Sequence, residues 1–203
     1  PPKDTPSYNA NRATGTGSVD EDNYLGLLAD GTDPVAGERR GHGVRLTAGS
    51  FTVRDNVVAY TESGGVLVRS TATISGNDLY SSSMSSATGD GISMESSTGQ
   101  VISISGNRID DTGAYGIETW NAPGPFTIEH NTVSDSGNGG GSEIGGIRIL
   151  GTGSTVRYNV SNGAIGAGNA VVQTAGANSQ NLLYKNTTYA KGGLSIDIDA
   201  TNI

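Results

Sequence analysis

Phe126-Thr127-Ile128-Glu129-His130-Asn131-Thr132-Val133 is the stretch on which the reading of this chain turns. Two apolar residues alternate, an Asn follows three positions after the second, and another apolar residue stands two beyond it. The pattern recurs at Phe51-Val53-Asn56-Val58, Ile74-Asn77-Leu79 and Ile102-Ile104-Asn107-Ile109. Val156-Asn159 and Leu183-Asn186 carry it with one slot eroded, and Asn23 with Leu25 opens the series. A second element, a Gly followed by an alternating apolar pair, is interleaved with the first. Its copies are Gly43-Val44-Arg45-Leu46, Gly65-Val66-Leu67-Val68, Gly91-Ile92-Ser93-Met94, Gly116-Ile117-Glu118-Thr119 and Gly146-Ile147-Arg148-Ile149, with further copies opening at Ala170 and Gly193. The chain is a repeat protein.

Successive Asn residues from Asn56 are 21, 30, 24, 28 and 27 positions apart, within the range of solenoid periods. Period-2 alternation means strands with one buried face, and no segment carries a 3.6-residue stripe. One coil of two or three short strands cannot bury its own apolar face, whereas stacked coils share a continuous core. Equivalent positions then lie about 4.8 Å apart, one strand spacing. At that distance the amides of Asn23, Asn56, Asn77, Asn107, Asn131, Asn159 and Asn186 can hydrogen-bond from coil to coil as a ladder.

These two motifs together resemble the parallel β-helix repeat of bacterial surface proteins and of pectate-lyase-like, carbohydrate-processing enzymes. Asn23-Tyr24-Leu25-Gly26, Asp30-Gly31-Thr32 and Gly41-His42-Gly43-Val44 resemble a variant found in large secreted repeat proteins. The resemblance implies an all-β, right-handed parallel β-helix of about seven or eight coils over residues 18–203. It implies also that the Gly-apolar strand is the first of three, with the Asn in the turn between the second and third. Right-handedness agrees with the general crossover rule. Residues 1–17 hold three of the six prolines and no apolar periodicity, and read as an extended arm that becomes ordered only by lying along the solenoid or along a neighbour.

Composition narrows the function classes. The net charge of −8 and pI near 4.6 disfavour nucleic-acid binding, which needs clustered Lys and Arg. No run of 18 apolar residues is present to span a membrane. With no Cys there is no disulfide and no thiolate metal site. The opening Pro1-Pro2-Lys3, without Met, reads as a processed or excised chain. An extracellular or cell-surface location is the expectation.

Alternation turns Arg69, Glu95, Glu118, Trp120 and Arg148 to the outer face of the Gly-apolar strands. In enzymes that the chain resembles, this face binds polysaccharide, so these five are the candidate carbohydrate-binding residues. Trp120 would stack on a sugar ring, and two carboxyls in adjacent coils would act as acid and base. The alternative is a solvated sheet face whose charges pair across coils. His42 and His130 read as turn or surface residues, and the three Lys lie off this face, so no catalytic residue is assigned.

Asp20, Asp22, Asp30 and Asp33 crowd the first coil with Glu21, and hard oxygen ligands of this kind suit Ca²⁺, the one cofactor considered. Asn159-Val160-Ser161 and Asn186-Thr187-Thr188 match the glycosylation acceptor pattern, but their Asn residues stand in the ladder. No amphipathic helix caps either end. The last coil ends in Leu194, Ile196 and Ile198, so the solenoid is expected to stack on copies of itself or to continue into more coils. Two functional readings follow. One is a non-catalytic structural or surface protein, self-associating into a filament. The other is a carbohydrate-binding or polysaccharide-cleaving module of lyase, hydrolase or epimerase type.

Overall fold

A computed structural model describes residues 11–35, 38–39, 41–83, 88–95, 100–120, 122, 124–141, 145–162, 169–173, 180–189 and 196–198. Every regular element among them is a β-strand, and every strand pairing is parallel. The first coil is β1 (Asn11–Glu21) and β2 (Tyr24–Leu25), and the second is β3 (His42–Arg54) and β4 (Val57–Ala59). From the third coil onward each turn has three strands. These are β5 (Gly64–Val68), β6 (Thr71–Ser75) and β7 (Asp78–Ser82), then β8 (Ile92–Glu95), β9 (Ile102–Ser105) and β10 (Arg108–Thr112). The fifth coil is β11 (Tyr115–Trp120), β12 (Phe126–Glu129) and β13 (Thr132–Ser134); the sixth is β14 (Gly145–Ile149), β15 (Thr155–Arg157) and β16 (Val160–Ser161). β17 (Asn169–Gln173), β18 (Leu182–Tyr184) and β19 (Thr187–Thr188) form the seventh, and β20 (Ile196–Ile198) lies on β17.

The strands stack into three parallel faces. The first runs β3-β5-β8-β11-β14-β17-β20 and the second β3-β6-β9-β12-β15-β18, joined because β3 bends through both. The third runs β2-β4-β7-β10-β13-β16-β19. Where the long strands bend, Gly15 and Gly49 take φ of 134° and 114°, and a Cβ on Gly49 would lie 1.5 Å from the Gly15 carbonyl oxygen. Only glycine fits that corner. The boundary expected at 17/18 is not a break in the structure, since β1 starts at Asn11 and pairs with β3 continuously across it apart from two register shifts. The unpaired edge of β3 supplies the hydrogen bonds that an isolated Pro-rich arm lacks. Residues 1–10 lie outside the described residues.

One or two apolar side chains per strand fill the interior. Val44, Leu46, Val66, Val68, Ile92, Met94, Ile117, Ile147 and Ile149 enter from the first face. Ile74, Ile104, Ile128 and Val156 stack in a column from the second face, and Val58, Leu79, Ile109 and Val133 in another from the third. The repeated Gly has a packing cause: a Cβ on Gly65 would meet Leu79 Cδ2 at 2.7 Å and the Gly91 carbonyl oxygen at 2.4 Å.

The Asn residues run up one corner. Asn107 Nδ2 donates to Asn131 Oδ1 (2.9 Å) and to the Ile74 carbonyl (3.0 Å), while its Oδ1 accepts from the Asn77 side chain (2.9 Å) and backbone N–H (3.0 Å). The same side-chain link joins Asn23 to Asn56, Asn56 to Asn77, Asn131 to Asn159 and Asn159 to Asn186. Asn159 Nδ2 also donates to the Ile128 carbonyl, so both hydrogens of that sequon amide are engaged. The residue before each ladder Asn is left-handed: Asp22, Asp55, Gly76, Gly106, His130, Tyr158 and Lys185. For the five that are not glycine this conformation costs about 1–2 kcal/mol, offset by the bonds that the following Asn makes.

Asn107→Ala orphans groups on both neighbouring coils, at about 1–3 kcal/mol for each group left without a partner. Asn138 is exposed and donates to Asp111, and its loss to Ala should cost less than about 1 kcal/mol. Denaturant unfolding of the two variants compares them, and equal losses would mean that the ladder carries no special share of stability.

Candidate active site on the outer face

Outward side chains of the first face fall into three rows. The middle row is Arg45, Leu67, Ser93, Glu118 and Arg148, register partners across successive coils. In the row nearer the strand ends, Arg69 pairs with Glu95, and Glu95 stands in register with Trp120. In the row at the strand starts, His42 stands in register with Gly64, and Asp90 and Tyr115 continue it.

Gly64 leaves this last row without a side chain between the imidazole and the carboxyl. A cleft of about 260 Å³ opens there, walled by His42, Leu67, Asp90, Ser93 and Glu95. A Cβ on Gly64 would approach the Asp90 carbonyl oxygen to 2.9 Å, so the gap is also a packing requirement. Leu67, outward by alternation, is only 2 % exposed and forms apolar wall.

Asp90 is 4 % exposed. Its Oδ1 accepts the Tyr115 N–H at 2.9 Å, and its carboxyl hydrogen-bonds Glu118. Burial pushes Asp90 well above the usual carboxylate range; the Glu118 charge adds to this, and hydrogen bonds from the Tyr115 N–H and the Ser93 hydroxyl only partly oppose it. Glu118 is itself 4 % exposed and is held by Arg148 Nη1 at 2.8 Å. The Arg148 guanidinium carbon lies 5.2 Å from the Tyr115 ring centre and 5.9 Å from that of Trp120. Across the cleft, burial and the nearby Arg45 charge push His42 down to about 4, against the pull of Glu95. At neutral pH the imidazole on one wall is therefore unprotonated, and burial biases the carboxyl on the other wall toward its protonated form.

Of the five residues expected on this face, the structure joins Arg69 to Glu95 and Glu118 to Arg148, and leaves Trp120 41 % exposed. The carboxyl that contacts Glu118 is Asp90, which the alternation did not single out. His42, expected in a turn or at the surface, instead opens β3 half-buried in the cleft wall. His130 does lie at the surface, stacked on Tyr158 with ring centres 5.0 Å apart.

The acidic first coil is dispersed. Asp20 accepts from Asn23, Asp22 sits in the left-handed turn, Asp30 accepts from Thr32, and Asp33 pairs with Arg39. Among the described residues no three acidic or His side chains come together in a metal-ligand set. Among them, too, no helix is long and apolar enough to cross a membrane.

Three stacked parallel faces, a buried Asn column and an outward cleft define a parallel β-helix. A family model describing a right-handed β-helix region matches residues 42–202, and the chain belongs to that family. No curated protein and no solved structure matches it significantly.

Two opposed pH dependences follow. The depressed His42 takes up its proton more readily in the unfolded chain, so the wild type loses stability as pH falls from about 6.5 to 4. Over that window His42→Gln should gain on the wild type by up to roughly 3 kcal/mol. The raised Asp90 favours folding below its unfolded value of 3.8 and loses that advantage as pH rises. Asp90→Asn should accordingly gain on the wild type as pH climbs above 4. Melting temperatures recorded between pH 4 and 8 check both, and parallel curves for all three proteins would refute the burial of the two groups.

Proposed function

We propose that the chain is a carbohydrate-acting module that cleaves a glycosidic bond in the cleft over Gly64. The observation that carries this reading is the facing of Asp90 and His42 with opposite displacements from their ordinary proton affinities. A carboxyl biased toward its protonated form donates a proton and a neutral imidazole accepts one, the pairing that acid–base cleavage needs. The backbones of the two residues stand two strand spacings apart, about 9.6 Å, with the cleft between their side chains. Inverting glycoside hydrolases likewise leave room for a water between acid and base. In that arrangement His42 takes a proton from water as its oxygen bonds to the anomeric carbon. The bond from that carbon to the leaving oxygen breaks, and Asp90 protonates that oxygen. Trp120 offers an exposed ring for a sugar further along the face. A glycan substrate agrees with the extracellular or cell-surface setting expected from the sequence.

Incubation with a broad polysaccharide panel should release reducing ends, and Asp90→Asn or His42→Gln should each lower the rate by about 10²-fold or more. Unsaturated sugar products would mean elimination and overturn the hydrolytic mechanism. No product, together with no change in Trp120 fluorescence on titration with oligosaccharides, would leave the face a scaffold.

Association of copies end to end is a second reading, favoured by the first coil. Val19, Tyr24 and Leu28 are 54 %, 75 % and 47 % exposed there, and among the described residues β1 pairs only with β3. At the other end Ile196 is 43 % exposed, the backbone of Ile198 pairs with Gln173, and Leu194 lies outside the described residues. The two ends differ, so their contact would be heterologous and build an open filament. Sedimentation at rising concentration should show growing species that Tyr24→Ser and Ile196→Asp shorten; a strict monomer rules the filament out.

A further inference from the structure

Two carboxyls in contact, each 4 % exposed, share an environment that does not sustain two negative charges. Which of them keeps the proton decides whether the cleft holds an acid. Asp90 lines the cleft; Glu118 is not among its lining residues. Both receive a donor. Asp90 has the Tyr115 N–H at 2.9 Å and the Ser93 hydroxyl, both neutral dipoles, and Glu118 has Arg148, a full positive charge at 2.8 Å. A charged partner favours an ionised carboxyl more strongly than a neutral one does. Arg148 is also fixed in place: its side chain is 17 % exposed, and the rings of Tyr115 and Trp120 lie within 6 Å of its guanidinium.

We propose that Arg148 is the positioning residue of this site: by holding Glu118 as the carboxylate, it leaves the one shared proton on Asp90, on the wall of the cleft. Arg148 touches no substrate in this account and acts through Glu118. The remaining charged and titratable groups near the pair do not duplicate it. Arg69 is paired with Glu95, and Arg45 lies toward His42, on the far side of Gly64. The inference rests on the reading of Asp90 as proton donor, but its test needs no substrate.

Side-chain carboxyl ¹³C spectra of the intact protein, with resonances assigned through Asp90→Asn and Glu118→Gln, report the protonation of each group directly. At pH 7 the wild type should show Asp90 neutral and Glu118 ionised. In Arg148→Gln the Glu118 resonance should move to the neutral position, and Arg148→Lys should restore the wild-type pattern. A wild-type spectrum with the proton on Glu118, or with both groups ionised, overturns the proposal. So does an Arg148→Gln spectrum with Glu118 still ionised. The wild-type measurement stands even if a variant does not fold. A correct proton placement without glycan cleavage would instead count against the hydrolytic reading alone.

Discussion

The structure depends on one repeated interaction, the Asn amide that closes a turn and hydrogen-bonds both its own coil and the next. An amide buried at 1 % exposure, as in Asn56, Asn77, Asn107, Asn131 and Asn159, is tolerable only if both its oxygen and its nitrogen are engaged. The column achieves this because strand pitch places each Oδ1 within reach of the donors of the coil below. Those bonds also hold the preceding residue left-handed, so the chain turns the same corner in every coil. With that corner fixed, coils of unequal length stay in register, and their length differences are absorbed between the faces rather than within them.

Registry is what gives the outer face its chemistry. Residues separated by more than twenty positions become neighbours in a row, and the row at the strand starts reads His42, Gly64, Asp90 and Tyr115. A solvated sheet face would neutralise its charges in exposed pairs worth little, as Arg108 does with Asp78. The Asp90–Glu118 pair departs from this, being buried beside a cleft with a cation on only one of its members. Such a pair weakens the fold at neutral pH instead of strengthening it. A solenoid that is otherwise uniform keeps this unfavourable group at the point where its surface is concave, which is the arrangement expected of a working site.

Much of the architecture was legible in the sequence because its causes are local. Alternation in Ile102-Ile104 or Phe126-Ile128 reports a one-sided strand, and the Gly before Val66 or Ile117 marks a close approach of backbone to side chain. The limits of the first strand were less legible. Asn11–Gly17 has no apolar periodicity, and it is a strand only because the edge of β3 is there to receive it. The outward set was likewise readable from alternation, whereas the pairing of Glu118 with Arg148 and of Arg69 with Glu95 came from the stacking of coils.

Asp90 and His42 were harder to find, because they stand just before the repeated Gly, ahead of the alternating pair that sorts inward from outward residues. Comparing that one position through the repeats gives His42, Gly64, Asp90, Tyr115 and Gly145, a varied column directly before the repeated Gly. That variation was present in the sequence, but its meaning was not. The amino-acid order by itself determined the coil, its period and the inward and outward sense of each strand residue, since these follow from backbone geometry and apolar spacing. Only the tertiary structure decided that Gly64 opens a cleft and that Asp90 meets Glu118 away from water. Burial and proton affinity belong to the stacked coils together, and no single repeat contains them.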